Sequence, residues 1–184
     1  GALEITIKPP EVRRVDKAVL RRRTITVRLP LDRVFEDIEP RLADVDLDGK
    51  PEVVVVESQN QTGAQLAIYN ASGNKIASTP HLGTRFRWLA PAGVADFDGD
   101  GHVELTYIDR PHLAKRLRIW RYKSGALLHV ADANGLTNHR IGEPFISGGL
   151  RECRWGREII TANANWSRVM VSALSDGRII TRDL

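Results

Sequence analysis

An all-β fold built from repeated four-stranded units is predicted by three features of this 184-residue chain. A nine-residue acidic pattern, D-x-D-x-D-G-x-x-E, begins at Asp44 and again 52 residues later at Asp96. Short runs of β-branched and aromatic residues follow both patterns and favour strands. Turn-forming pairs recur at the same spacing between apolar runs, as in β-hairpins, at Ser72-Gly73, Ser124-Gly125 and Asp176-Gly177. A four-stranded antiparallel unit repeated at this period is typical of a β-propeller blade.

Three repeat units are predicted, over residues 38–89, 90–141 and 142–184. In the first unit the four strands are expected at about 40–43, 52–58, 65–70 and 74–79, with the acidic loop between the first two. A β-sandwich also has many short strands but does not require a strict repeat, so the period favours the propeller. Apolar residues keep the phase of the repeat in four sets: Leu42, Val94 and Ile146; Val56, Ile108 and Ile160; Ala67, Ile119 and Val171; Ile76, Leu128 and Ile180.

Residues 1–37 precede the first unit and are predicted to add strands to it. Residues 5–7 and 24–27 alternate between apolar and polar side chains, as half-buried strands do. A shift of the repeat back by 52 residues places a hairpin turn near Arg21. These strands are expected either to complete a fourth blade or to close a ring by pairing with C-terminal strands. The whole chain, residues 1–184, would then be one β-propeller domain.

The two acidic loops are predicted to bind one calcium ion each. Carboxylates at alternate positions repel one another, and a hard cation removes that cost, because Ca²⁺ prefers six to eight oxygen ligands. Gly49 and Gly101 permit the sharp turn that folds each loop around the ion. The expected ligands are the carboxylates of Asp44, Asp46, Asp48 and Glu52 with the Lys50 carbonyl, and the carboxylates of Asp96, Asp98, Asp100 and Glu104 with the His102 carbonyl.

The loops are not EF-hands. An EF-hand needs a glutamate at the twelfth loop position and flanking helices, whereas Val55 and Tyr107 stand there and both loops lead into β-rich sequence. The alternative is a pair of acidic turns that bind no metal. The third unit has lost the pattern and is expected to bind none, since the equivalent positions are Gly148, Leu150, Glu152 and Cys153.

Charge points to polyanionic partners. The chain has 27 basic and 23 acidic residues and a formal net charge of +4, which two calcium ions would raise to +8. Eight of the acidic residues belong to the loops, so 15 remain to balance the 27 basic ones. Such a surface should attract polyanions, namely acidic polysaccharide, lipopolysaccharide, anionic lipid or nucleic acid. The alternative is an ordinary solvated face without a specific site. The densest basic clusters are Arg13-Arg14 and Arg21-Arg22-Arg23.

Composition excludes several classes. No nucleic-acid-binding motif is present, and no run is long and apolar enough to span a membrane. Cys153 is the single cysteine, which rules out an internal disulfide. The motifs of α/β-hydrolases, zinc peptidases and phosphate-binding loops are missing, so the chain is predicted not to be an enzyme.

The two loops, each followed by a β-run, resemble FG-GAP/VCBS repeats, the calcium-bearing blades of integrin-α-like propellers and of many bacterial surface and secreted proteins. The flanks over 35–44 and 88–96 are similar to bacterial VCBS-repeat-containing proteins. The resemblance implies a propeller, two structural calcium ions and a location outside the cytoplasm: periplasmic, secreted or at the cell surface.

Three functions are compatible with these features. The first is a non-catalytic calcium-stabilised module that binds or adheres to a protein or glycan. The alternative is an enzyme or enzyme accessory domain, for example a polysaccharide-active one, with a site in the propeller channel. The third is a structural spacer in a longer adhesin. Unpaired strand edges in an incomplete ring would favour a homodimer.

Overall fold

All regular secondary structure in the computed structural model is β-strand, across the residues that it describes: 2–7, 23–154 and 156–184. None of these residues forms a helix that could cross a membrane. The all-β prediction is confirmed. The described strands are β1 (Ala2–Ile7), β2 (Arg23–Arg28), β3 (Arg33–Phe35), β4 (Arg41–Ala43), β5 (Glu52–Gln59), β6 (Gly63–Tyr69), β7 (Lys75–Ser78), β8 (Leu89–Ala95), β9 (Glu104–Asp109), β10 (Arg116–Lys123), β11 (Ala126–Asn134), β12 (Leu136–Thr137), β13 (Gly149–Cys153), β14 (Gly156–Asn163), β15 (Val169–Ser175) and β16 (Arg178–Asp183).

The first sheet consists of β3 to β7, all antiparallel to their neighbours, with β5 and β6 at its centre. The β-branched run at the start of β5 is buried on both faces, which explains why it carries no polar alternation. Strands β3 and β4 lie end to end along β5, with Phe35 opposite Glu57 and Ala43 opposite Glu52. Strands β4 to β7 lie within two residues of the four predicted strands, whereas β3 begins before residue 38.

The second and third sheets repeat this plan. The second runs in the order β11-β10-β9-β8, and the third in the order β12-β14-β15-β16 with β13 also paired to β14. In each sheet the strand that comes first in the chain is interrupted. The break lies between β3 and β4 in the first sheet, at a register shift between Pro91 and Gly93 in the second, and between β12 and β13 in the third. The predicted succession of antiparallel units of about four strands is therefore present.

Apolar side chains on both faces of the second sheet hold the three sheets together. Alternate residues of a strand point to opposite faces, so β9 contributes Leu105 and Tyr107 to one layer and Ile108 to the other. The first layer also contains Val54, Val56, Leu66 and Ile68 from the first sheet, and the second layer contains Ile159 and Leu174 from the third. These residues are nearly inaccessible to solvent, so the second sheet lies between its two neighbours.

The repeat of 52 residues does not hold in the third strand of each unit. Strand pairing places Leu66 opposite Val56, Leu117 opposite Ile108 and Val171 opposite Ile160. The structurally equivalent residues are therefore Leu66, Leu117 and Val171, and the predicted set of Ala67, Ile119 and Val171 is wrong by one or two positions. The cause is the length of chain between the paired positions, which is nine residues in the first unit, eight in the second and ten in the third.

The described N-terminal residues form a two-stranded sheet of β1 and β2 that covers the first sheet. Leu3, Ile5 and Val27 pack against Val55 and Tyr69 of that sheet. Among the described strands this sheet contains only β1 and β2, so neither pairs with a C-terminal strand. The number of blades and the single propeller domain stay predictions. The expected turn near Arg21 and the clusters Arg13-Arg14 and Arg21-Arg22 lie outside the described residues.

Candidate functional sites

Both acidic loops lie at the same end of their sheets. The first joins β4 to β5 and the second joins β8 to β9. Their last acidic residues, Glu52 and Glu104, are the first residues of buried central strands and are 5 % and 0 % exposed. The strands therefore hold the glutamate end of each loop in place. The aspartates that precede each glutamate in the chain lie closer to solvent.

The first loop gathers three of its predicted ligands. Oxygen atoms of Asp44, Asp46 and Asp48 lie within 4.8 Å of one another. Backbone N–H groups orient these carboxylates: Asp48 N donates to Asp44 Oδ1 at 3.0 Å, and Gly49 N donates to Asp44 Oδ2 at 2.9 Å. Gly49 has a φ of +87°, a conformation that a side chain would disfavour and that turns the chain back toward Asp44. Three carboxylates are thus fixed around one point.

The other two predicted ligands of the first loop lie at its edge. Glu52 Oε2 accepts a hydrogen bond from Val45 N at 3.0 Å and does not belong to the converging group. Burial raises the pKa of Glu52, and the nearby Asp46, Asp44 and Asp48 raise it further. The exposed Lys50 amine donates to Asp48 Oδ2 at 3.0 Å. The assignment of Glu52 and of the Lys50 carbonyl as ligands stays a prediction.

The second loop gathers a different set of its predicted ligands. Oxygen atoms of Asp96, Asp98 and Glu104 lie within 4.8 Å of one another. Gly101 N donates to Asp96 Oδ2 at 3.0 Å, and Phe97 N donates to Glu104 Oε2 at 2.9 Å. Asp100 lies outside this group, and its Oδ1 accepts a hydrogen bond from His102 N at 2.9 Å. The same sequence pattern therefore brings a different set of carboxylates together in each loop.

A residue that the sequence analysis missed, Arg121 on β10, enters the second loop. Its guanidinium lies 2.6 Å from Glu104 Oε1, 2.6 Å from Asp98 Oδ2 and 2.8 Å from Asp100 Oδ2. Arg121 lies directly opposite Glu104 in the pairing of β9 with β10. It could have been found only from that register, because it is 17 residues beyond Glu104. Burial raises the pKa of Glu104, although the hydrogen bonds from Phe97 and Arg121 oppose the shift.

In the third unit a strand replaces the loop. Residues 149–153 form β13, which pairs with β14 with Cys153 opposite Gly156. The absence of a metal from the third unit stays a prediction.

Both loops suit a hard divalent cation, because every side chain that converges is a carboxylate and backbone N–H groups hold those carboxylates in place. Bound calcium would supply the positive charge that lowers the repulsion within each group.

A second feature, the arginine–aromatic hollow, lies at the opposite end of the sheets. We define it as the cavity of about 340 Å³ lined by Phe86, Arg87, Trp88, Arg110, Pro111, His112, Leu113 and Ile141. Trp88 precedes β8 whereas Asp96 follows it, so the hollow and the acidic loops are separated by the length of the strands. Phe86, Leu113 and Ile141 are exposed large apolar residues at its rim.

Two arginines line the hollow, and one of them, Arg110, is paired with Asp109. Arg87 forms no ion pair with a carboxylate in the described part of the chain, and its Nη1 donates to the Phe86 carbonyl at 3.1 Å. The guanidinium of Arg85 lies 4.9 Å from the Phe86 ring. Phe86 has a φ of +53°, an uncommon and strained conformation for a bulky residue, and it is 78 % exposed. Such strain at an exposed aromatic residue is typical of binding sites.

Comparison with known proteins supports the repeat assignment. A family model described as an FG-GAP-like repeat matches residues 44–106, which include both acidic loops, so the predicted FG-GAP-like repeat is confirmed for this segment. No curated protein matches the chain.

Among solved structures, a rhamnogalacturonan lyase of Bacillus licheniformis is similar, with a TM-score of 0.51 and 15% sequence identity over 82% of this chain. The chain spans 35% of the length of the lyase. At this identity the likeness shows the fold alone.

Proposed function

We propose that this protein is a non-catalytic, calcium-stabilised binding module that acts outside the cytoplasm and recognises an acidic glycan. The observation that carries the proposal is the convergence of three carboxylates within 4.8 Å in each of two repeated loops. Extracellular calcium modules use loops of this chemistry at calcium concentrations of about 0.1–1 mM. The loop carboxylates are held by backbone N–H groups and by Arg121, which suits them to be ligands rather than proton donors.

Calcium has a structural role in this proposal. The ion offsets the repulsion among the aspartates and binds only the folded loop, so it raises the free energy of unfolding. At a calcium concentration 100 times the dissociation constant, one site adds about 2.7 kcal/mol.

The metal component is tested by calorimetric titration with calcium and by thermal unfolding in calcium or in chelator. We expect two bound ions and a rise in melting temperature of about 5–10 °C for each saturated site. Magnesium at the same concentration is the control, because its smaller octahedral shell fits these loops poorly. A melting curve that calcium leaves unchanged would show that the loops are acidic turns without a metal role.

The ligand component rests on the arginine–aromatic hollow. A guanidinium binds a carboxylate through two parallel hydrogen bonds, and an exposed aromatic ring packs against the apolar face of a sugar. Arg87 and Phe86 present both groups side by side. Outside the acidic loops the chain has more basic than acidic residues, and this positive charge draws a polyanion toward the protein.

Binding of polygalacturonate, measured by calorimetry in calcium, tests this component, with an uncharged glucan as the control ligand. We expect Arg87→Gln and Phe86→Ala each to weaken polygalacturonate binding about tenfold. Arg178→Gln, which changes an exposed arginine on β16, is the matched control and should leave binding unchanged. Equal weakening by all three variants would show that net charge alone, and not the hollow, attracts the polymer.

A second candidate is a polysaccharide-active enzyme with a site in the propeller channel, and the fold likeness to a rhamnogalacturonan lyase favours it. Incubation with rhamnogalacturonan distinguishes the two. A binding module retains the polymer intact, whereas release of shorter fragments would establish enzymatic activity.

A further inference from the structure

Arg121 neutralises the second loop from within the protein. One guanidinium makes charged hydrogen bonds with Asp98 and Glu104 and a further ion pair with Asp100, at distances of 2.6–2.8 Å. The side chain of Glu104 is fully buried, and those of Asp98 and Arg121 are 17 % and 21 % exposed. Ion pairs this short and this protected from solvent are stronger than surface salt bridges.

In the first loop the register position that corresponds to Arg121 carries no charge. Val53 lies opposite Tyr69 in the pairing of β5 with β6, so the residue that continues this register to Glu52 is Asn70. Asn70 is neutral, and its Oδ1 accepts hydrogen bonds from Ser72 N and Asn74 N in the following turn. Lys50 forms an ion pair with Asp48 of the first loop, and its side chain is 73 % exposed.

We infer that Arg121 is an internal competitor of calcium at the second loop and makes the two sites unequal. The inference rests on the proposed calcium binding and specifies how it is regulated. An ion that enters the second loop must displace the guanidinium from Asp98 and Glu104, two of the three carboxylates that converge there. The first loop therefore binds calcium at low concentration, and the second binds it only at higher concentration.

The competition has a consequence for the rest of the chain. Calcium binding at the second loop releases Arg121 from three carboxylates on the loop and on β9. The second loop then responds to the calcium concentration while the first remains filled. A module of this kind folds at low calcium and gains further rigidity where calcium is abundant.

Calorimetric titration of the whole chain with calcium tests the inference through Arg121→Gln. We expect the wild type to show two sites that differ in affinity, and Arg121→Gln to tighten the weaker site at least tenfold without changing the stronger one. In the background of Asp44→Asn, which removes the first site, the effect of Arg121→Gln on the second site can be measured by itself. Arg118→Gln is the matched control, because Arg118 lies on the same strand but pairs with Asp132.

Two results would overturn the inference while the proposed function stands: equal affinities in the wild type, or weaker calcium binding in Arg121→Gln, which would make Arg121 a positioning residue. Absence of calcium binding in both proteins would overturn the proposed function as well.

Thermal unfolding in chelator shows whether Arg121→Gln is folded. Arg121→Lys keeps the charge but loses the planar fork, and should bind calcium with intermediate affinity.

Discussion

The first and second acidic loops share one sequence pattern but differ in the charge that surrounds it. In the first loop three aspartates converge near solvent, and an exposed lysine contacts one of them. In the second loop the buried Glu104 joins the group, and Arg121 contacts three carboxylates. In both loops the shared pattern supplies the carboxylates, whereas the neighbouring strand supplies Arg121 to the second loop alone; we infer that this charge sets the affinity of the second loop for calcium.

The same contrast appears at the other end of the two central strands. Glu57 ends the buried part of β5, and Asp109 occupies the equivalent place on β9. Glu57 receives hydrogen bonds from Gln65, Tyr69 and Lys75, whereas among the described residues Asp109 receives side-chain hydrogen bonds from Arg110 only. Burial raises the pKa of Tyr69, and its hydrogen bond to Glu57 adds to the shift. Glu57 and Asp109 thus stand at equivalent positions, but their partners come from different positions in the two units.

The largest expected effect separates the two loops. At a calcium concentration that fills only the tighter site, Asp44→Asn should remove nearly all of the calcium-dependent stabilisation, about 2.7 kcal/mol at 100 times the dissociation constant. Asp96→Asn should remove little under the same condition. Melting temperatures of both variants in calcium and in chelator provide the measurement. The reverse order of effects would contradict the ranking of the sites.

A smaller effect concerns the buried carboxylates. Arg110→Met should destabilise the protein by about 2 kcal/mol, because it leaves Asp109 buried without its cation. Lys75→Met should cost about 1 kcal/mol, since Glu57 keeps Gln65 and Tyr69 as donors. Both basic side chains are about one third exposed, so solvent screening is similar. Urea unfolding measures the two costs, and Asp109→Asn should rescue Arg110→Met if the unpaired charge is the cause.

A graft tests whether Arg121 by itself makes the loops differ. Asn70→Arg places a guanidinium in the equivalent register position of the first unit. We expect it to weaken calcium binding at the first loop about tenfold, equivalent to about 1.4 kcal/mol. Asn70→Gln is the control, because it loses the same turn hydrogen bonds without adding charge. Equal calcium affinities in the two variants would show that the neighbouring strand does not control the site.

The smallest effect comes from the end of the sheets that carries no acidic loop. Burial, His139 and Lys115 lower the pKa of His112, and its Nε2 lies 3.0 Å from His139 Nδ1. A histidine with a lowered pKa in the folded state binds fewer protons there than in the unfolded state, so stability falls as the pH drops below 6.5. His112→Asn should reduce this loss only slightly, because His112, although partly desolvated beside His139, is still exposed and solvent screens its charge.

Thermal unfolding of calcium-saturated protein between pH 7 and pH 5 gives the comparison. An identical pH dependence in the wild type and His112→Asn would mean that groups other than His112 cause the loss of stability.

Much of the local structure could be predicted from the sequence. Strands β4 to β7 and the two loops follow from runs of β-branched residues, turn pairs and alternating aspartates, all of which act between residues close in the chain. The residues at 5–7 and 24–27 are strands for the same reason. The assumption of a constant period failed at the third strand, because the segments that join its residues to their partners on the second strand differ in length.

The sequence by itself determined the all-β repeat, the acidic loops and the loss of the third loop. Tertiary structure alone decided that Arg121 enters the second loop, that β1 and β2 cover the first sheet and that Phe86 and Arg87 border a hollow. The physical reason is the range of the forces. Turn and strand preferences act over a few residues, whereas the partner of a buried charge depends on strand register, which packing and loop length set across the whole sheet.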